Sequence, residues 1–124
     1  MKKFLIVSAL LALPSLAAAQ SPTNPVALQF DHADIAITTR YEVGYFLADA
    51  VAPVQTVSVL TAAVTGTGTT NREILLSKPA LGTFTAKLRA VGAAAGGGEA
   101  ISPWSGPTVP FVFSPLAPTV RGLR

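Results

Sequence analysis

Apolar and polar side chains alternate without interruption from Phe84 to Ala90, where the sequence reads FTAKLRA. Successive side chains of a β-strand point to opposite faces of its sheet, so a period of two predicts a strand with one buried face. Phe84 and Leu88 are then expected on the side of a core, with Lys87 and Arg89 on the outer side. The period of about 3.6 that marks an amphipathic helix is absent here.

The same alternation recurs in short segments along the chain, and turn-forming residues separate one segment from the next. These segments centre on Leu28, Val43, Val57, Ile74 and Phe111. The separators read DHAD, ADAVAP, GTG, KPALG and GAAAGGG, which are compositions typical of turns and loops. Six or seven short strands of this kind predict an all-β fold, an antiparallel two-sheet β-sandwich. Their shared parity predicts one core that contains Tyr41, Val43, Phe84, Leu88 and Phe111.

The N-terminus has the organisation of a secretory signal peptide. Two lysines precede an apolar run from Phe4 to Leu13, and three small residues end at Ala19. The run of ten residues is too short for a membrane-spanning helix, which needs about 20, so an N-terminal anchor is the weaker alternative. We expect residues 1–19 to form a helical signal peptide that is cleaved after Ala19. The mature protein would then be exported to the periplasm or the cell exterior, without a membrane span.

Charge and cysteine content limit the classes of function. The net charge of +3 arises at the two ends of the chain. Between Gln20 and Phe113, five Lys and Arg residues stand against six Asp and Glu residues, a net charge of −1. A nucleic-acid-binding domain would concentrate basic residues on one face, so we exclude that class of partner. The chain has no cysteine, which excludes disulfides and a lipidated cysteine, so core burial alone must stabilise the single expected domain.

Several short motifs follow one another in a defined order. They are Phe30, Tyr41-x-Val43, Leu81-Gly82-Thr83 followed by FTAKLRAV, a glycine-rich loop, and Pro103-Trp104-Ser105-Gly106-Pro107. This order resembles that of a fibronectin type III domain, an immunoglobulin-like β-sandwich. The resemblance extends from Asn24 to Phe113, and we expect residues 20–113 to form such a domain.

The chain departs from that family at three places. Phe30 occupies the position of the family's core tryptophan. Phe84 occupies the position of its corner tyrosine, so the hydrogen bond from that hydroxyl to the backbone is expected to be missing. The first strand is poorly marked, because residues 20–25 contain two prolines. The tail, residues 114–124, also contains two prolines and no alternation, and we predict that it is disordered and lies outside the sandwich.

Trp104 is the residue most readily interpreted as a binding site. In cytokine-receptor domains, which are related to this family, a Trp-Ser motif stacks on arginines of the neighbouring strand. The resemblance therefore implies that Trp104 lies over the Arg89 or Lys87 side chain, with Ser105 bonded to nearby backbone. The alternative is that Trp104 is an exposed platform for a sugar ring. In either case Trp104, Arg89 and Lys87 form the candidate interaction surface.

No catalytic, cofactor or metal site is expected from the remaining polar motifs. The single histidine, His32, lies in DHAD without a second histidine or a cysteine to complete a metal site, and we interpret this motif as a polar turn. The Gly/Thr-rich segment 65–70 lacks the lysine of a phosphate-binding loop. The sequence thus predicts a non-enzymatic exported module that binds a protein or a glycan. The alternative is a purely structural domain that acts as a spacer in an envelope or extracellular assembly.

Overall fold

A computed structural model describes residues 21–124, so the predicted signal peptide, residues 1–19, lies outside the described residues. The described chain is all-β, and its only helical elements are two 3₁₀ turns, Ile35–Ile37 and Thr61–Ala63. Seven strands follow in chain order: β1 Ala27–Phe30, β2 Arg40–Phe46, β3 Gln55–Leu60, β4 Arg72–Leu75, β5 Gly82–Ala93, β6 Glu99–Ile101 and β7 Phe111–Phe113.

The strands form two antiparallel sheets. One contains only β1 and β4; the other has the order β3-β2-β5-β6, with β7 paired to the first residues of β5. In the larger sheet Val43 lies opposite Leu88, and Glu42 lies opposite Arg89. This register puts Tyr41, Val43, Tyr45, Phe84, Ala86 and Leu88 on one face and the charged residues of both strands on the other, as the alternation predicts; Phe46 and Val91 are apolar residues that share the charged face.

One apolar core lies between the two sheets. Its buried members are Tyr41, Val43, Tyr45, Val64, Ile74, Phe84, Ala86, Phe111 and Phe113. Four of the five predicted core residues are therefore buried together. The fifth, Leu88, lies on the expected face but is only partly buried at the rim of the core, because the sandwich is open beside it.

A tyrosine hydroxyl reaches the turn that precedes β5, although Phe84 offers none. Tyr45 on β2 is buried, and its hydroxyl donates a hydrogen bond to the carbonyl oxygen of Ser77 at 3.2 Å. The Tyr45 ring also meets the Phe84 ring edge to face, with 6.3 Å between centroids. This bond ties β2 to the segment before β5, and it is a different bond from the one expected to be missing at Phe84.

Residues 22–24, near the start of the described chain, lie beside the last strand, β7. The N–H of Asn24 donates to the carbonyl of Val112 at 2.7 Å, and the N–H of Val112 donates to the carbonyl of Pro22 at 2.9 Å. The first segment is therefore a single parallel bridge to β7 and does not run along β1. β7 begins at Phe111 and contains only three residues. Residues 115–124 are exposed and have no strand or helix.

Candidate interaction surfaces

Three hydroxyl residues attach the segment between β6 and β7 to the edge of β5. In each case the backbone N–H donates to a β5 carbonyl, and the side-chain oxygen accepts from the N–H of the same β5 residue. The pairs are Ser102 with Ala90, Ser105 with Leu88, and Thr108 with Ala86. Each hydroxyl accepts the hydrogen bond that a backbone carbonyl would accept in a regular strand pair. Three residues of the segment lie along every two residues of β5, one more than in a regular pair. The segment therefore bulges from the sheet and turns Trp104 back over it.

Trp104 lies over β5 as the sequence predicts, and the structure distinguishes the roles of the two basic residues. The Arg89 guanidinium carbon is 4.2 Å from the centroid of the Trp104 ring. The Lys87 ammonium instead lies 4.5 Å from the centroid of the Phe46 ring. Phe46 and Trp104 meet edge to face, with centroids 5.4 Å apart. The outer face of β2 and β5 thus holds a row of four side chains in which Trp104 and Phe46 pack together between Arg89 and Lys87.

Two members of this row are not evident from the sequence. Phe46 has the parity of the outer face, yet its side chain is only 1% exposed because Trp104 and Lys87 cover it. Gly44 leaves the space in which Trp104 lies: a Cβ at Gly44 would be 2.9 Å from a ring carbon of Trp104. A glycine within an otherwise regular strand is a signal of such a close approach, although it does not reveal which side chain approaches.

A network of ion pairs continues the row towards β6. Glu42 accepts a hydrogen bond from Arg89 at 2.6 Å and lies 3.4 Å from Arg40, which also pairs with Glu99. The Arg89 bond, helped by Arg40, lowers the pKa of the Glu42 carboxyl, and partial burial opposes that shift. The Arg40 bond lowers the pKa of Glu99 in the same way. Arg89 is therefore held by Glu42 on one side and stacks on Trp104 on the other.

Replacing Arg89 with alanine should shift the fluorescence of Trp104 to longer wavelength and lower stability by about 1 kcal/mol. The guanidinium that shields one face of the indole would be lost, together with the ion pair to Glu42. Trp104 is the only tryptophan, so emission spectra and chemical denaturation measure both effects. The matched Lys87→Ala variant should leave the emission wavelength almost unchanged, because Lys87 lies over Phe46. Equal shifts in both variants would contradict this assignment.

The Glu42 network predicts a loss of stability in acid. Because the pKa of Glu42 is lower in the folded chain than its ordinary value of 4.5, ionised Glu42 stabilises the fold above that pH. This contribution declines as the pH falls through the folded pKa. Denaturation measured from pH 7 to pH 3 should therefore give a smaller acid-induced loss for Glu42→Gln than for the unaltered protein. An identical pH dependence in the two proteins would contradict this role of Glu42.

The second candidate surface is the free edge of β1. The N–H of Leu76 donates to the carbonyl of Val26, so in this antiparallel pair alternate residues of β1 direct their backbone groups towards β4. The backbone groups of Ala27, Gln29 and Asp31 consequently point to the opposite side. No strand within residues 21–124 pairs with that side. Residues 22–24, which precede β1, bridge to β7 and leave this edge uncovered.

A groove of about 530 Å³ lies between this free edge and the bulged segment that carries Trp104. Leu28 and Phe30 of β1 form one wall, and Leu88 and Ala90 of β5 form the floor. We call this feature the β1 groove. Leu88 is only partly buried because its side chain lines this open groove. An apolar cleft beside unpaired strand backbone is a surface to which another extended segment can add.

Polar side chains close one end of the β1 groove. His32 Nδ1 lies 2.8 Å from the Tyr41 hydroxyl, and burial raises the pKa of that hydroxyl. Asp31 accepts a hydrogen bond from the backbone N–H of Asn71 at 2.8 Å. The DHAD motif is thus a turn that joins the two sheets, as predicted. Within the described chain, residues 21–124, no group of three or more His, Cys, Asp or Glu side chains could hold a metal ion.

The described part of the chain contains no helix with the length and apolar character needed to cross a membrane. Comparisons of the chain with protein-family models, with curated proteins and with solved structures found no match.

Proposed function

We propose that this protein is a non-catalytic exported module that binds an extended polypeptide segment of a partner in its β1 groove. The observation that carries this proposal is the unpaired edge of β1, with apolar side chains directly beside it. The backbone groups of Ala27, Gln29 and Asp31 would supply main-chain hydrogen bonds to an added strand. The walls of the groove would accept its alternate side chains.

The arrangement of the strands supports a fibronectin type III-like domain as the scaffold. β1 and β4 face the larger sheet across one core, and the motif around Trp104 lies beside β5 as the resemblance implies. In this interpretation the first strand of the domain is too short to cover β1, and its place is left for a partner.

The proposed export depends on the signal peptide at the N-terminus. Cleavage after Ala19 would produce a mature protein that begins at Gln20, in the periplasm or outside the cell. Mass spectrometry of the secreted protein should give the mass of residues 20–124, because the three alanines supply the small residues that signal peptidase requires. A mature N-terminus more than a few residues away would contradict this assignment.

The geometry around Trp104 favours a polypeptide over a glycan as the ligand. A sugar ring would stack on an open face of the indole, but the Arg89 guanidinium already lies over that ring at 4.2 Å. Glu42 in turn holds Arg89 through a bond of 2.6 Å. Trp104, Arg89 and Lys87 therefore act mainly as packing of the bulged segment, and binding is assigned to the β1 groove on the opposite face of β5.

Selection from a random peptide library tests the proposed binding. The mature protein should enrich peptides in which apolar residues alternate with others, and Leu28→Asp should weaken their binding by about tenfold or more by placing a charge in the groove. Val51→Asp is the matched control, since Val51 is 95% exposed in the loop after β2. A folded Leu28→Asp variant that binds the same peptides equally well would contradict the proposal.

Gln29→Pro provides a second test that leaves the apolar wall and floor residues of the groove, Leu28, Phe30, Leu88 and Ala90, unchanged. It removes one N–H from the free edge of β1 and none from the ladder with β4. Peptide binding should fall while circular dichroism stays that of the unaltered protein. Failure to enrich any peptide would instead favour the alternative of a structural spacer without a dedicated ligand.

A further inference from the structure

We propose that the segment bound in the β1 groove is the C-terminal tail of a second copy of this chain. The inference rests on the proposed function, because it names the partner of that same groove. The tail would add to β1 as an antiparallel strand, with Leu116, Pro118 and Val120 facing the groove. Copies of the protein would then associate through repeated contacts between a tail and a groove.

The tail has the composition of a segment that is incomplete without a partner. Leu116, Val120 and Leu123 are 75%, 83% and 99% exposed. Residues 115–124 form no strand or helix. The tail begins from a held position, since Ser114 bonds to Asn24 and accepts a hydrogen bond from Lys78. Exposed apolar residues therefore extend from a defined point on the sandwich.

The position of Pro118 determines the direction in which the tail can add. The free edge of β1 presents the N–H and C=O groups of residues whose side chains face away from the core, such as Gln29. In an antiparallel pair the residue opposite Gln29 exchanges both hydrogen bonds with it and shares its outward face. Thr119 and Arg121 would take such positions. Pro118, which has no N–H, would face the groove and direct its nitrogen away from β1.

A parallel arrangement places Pro118 unfavourably. In a parallel pair, Gln29 would bond to the two tail residues on either side of the one opposite it. Those two residues have the side chains that face the groove. Pro118 would lie among them with no N–H to donate, and a β1 carbonyl would stay unpaired. The antiparallel arrangement is therefore the one that the sequence of the tail permits.

This requirement excludes the tail of the same molecule. Ser114 lies at the end of the sandwich where β1 begins. It bonds to Asn24, a few residues before β1, and Val26, directly before β1, bonds to Leu76 beside it. If the tail folded back over its own groove, it would run in the same direction as β1 and so be parallel to it. A second copy can approach in the opposite direction, so the tail that fits comes from another molecule.

Charge is also complementary between the tail and the edge of β1. The tail carries Arg121 and Arg124 and no acidic residue. Asp31 follows β1 directly, with the parity of its outward face, and Glu73 on β4 lies opposite Gln29 and accepts a hydrogen bond from its side chain at 2.8 Å. Arg121 has the outward parity and would lie on this acidic side. Opposite charges on neighbouring strands favour pairing.

The association of the full mature protein tests this inference. Light scattering with size-exclusion chromatography should give a mean mass that rises with protein concentration. The concentrations should run from about 10 µM to about 1 mM, the range of dissociation constants that suits a single short strand. Hydrogen exchange should give increasing protection of the Gln29 amide over the same range. Val120→Asp should weaken association by about tenfold or more, since a charge would enter the groove. Leu123→Asp, on the other face, should change it by no more than about twofold.

Thr119→Pro provides a test that depends on the backbone. It removes the N–H proposed to bond to β1, and it cannot disturb the sandwich because the tail lies outside it. Association should again fall by about tenfold or more. A monomer at every concentration, or equal effects of Val120→Asp and Leu123→Asp, would overturn the inference. If the protein stays monomeric but peptides still bind the β1 groove, the proposed function remains intact and only the inference about the tail fails. If neither self-association nor peptide binding is found, the inference and the proposed function are both refuted.

Discussion

Replacing Tyr45 with alanine should lower the free energy of unfolding by about 3–5 kcal/mol, the range for a large aromatic side chain removed from a packed core. Tyr45 is 1% exposed and contacts three phenylalanine rings. The nearest of these, Phe113, has its centroid 5.6 Å away. Because Tyr45 joins β2 to β5 and β7 from within the core, the cavity would lie where several strands meet. Chemical denaturation followed by circular dichroism measures the loss.

Tyr45→Phe separates the ring from the hydroxyl. It keeps the aromatic packing and removes only the hydrogen bond to the Ser77 carbonyl. The expected loss is about 0.5–1.5 kcal/mol, the usual net contribution of one hydrogen bond. A loss as large as that of Tyr45→Ala would mean that the turn before β5 depends on the hydroxyl more than the core depends on the ring. A loss below about 1 kcal/mol for Tyr45→Ala would contradict its place in the core.

Replacing Gly92 with alanine should also destabilise the protein, by about 1–3 kcal/mol, although only one methyl group is added. Gly92 lies in β5, and a Cβ there would be 2.6 Å from the backbone carbonyl oxygen of Ile37. That oxygen belongs to a 3₁₀ turn, so backbone would have to move to admit the methyl group. Urea denaturation curves should give a lower midpoint with a similar slope.

Gly96→Ala is the matched control for this prediction. Gly96 lies in the glycine-rich loop, and a Cβ there would meet no atom within 4 Å. The same chemical change should then be neutral, or stabilising by a few tenths to about 1 kcal/mol because the unfolded chain loses freedom. Equal destabilisation at both positions would indicate a general cost of losing glycine from β5 and its loop, and not a contact with Ile37.

The pattern of the sequence was sufficient to predict where most strands lie and which face most of their side chains take. Alternation at Tyr41, Val43 and Phe84 placed these residues in one core, and Lys87 and Arg89 were correctly predicted on the outer face. The reason is physical. Successive side chains of a strand point to opposite faces, so the local order of apolar and polar residues indicates which face is buried. The resemblance implied that Trp104 lies over Arg89 or Lys87, and in the structure it lies over Arg89.

Contacts between distant segments could not be predicted in this way. Phe46 has the parity of an exposed residue, yet it is buried because Trp104 returns over it from far along the chain. The Tyr45 hydroxyl likewise meets Ser77 only after β2 has packed beside β5. Alternation specifies which face a side chain takes, but not what covers that face.

The sequence by itself determined that residues 21–124 form an all-β fold and which face most side chains of its strands take, since local periodicity carries these properties. The tertiary structure alone decided the burial of Phe46, the ion pairs around Glu42 and the open edge beside Leu88. Each of these depends on which strands become neighbours. The β1 groove exists because residues 22–24 bridge to β7 and leave β1 without a neighbour, and pairing between segments this far apart is a property of the whole fold.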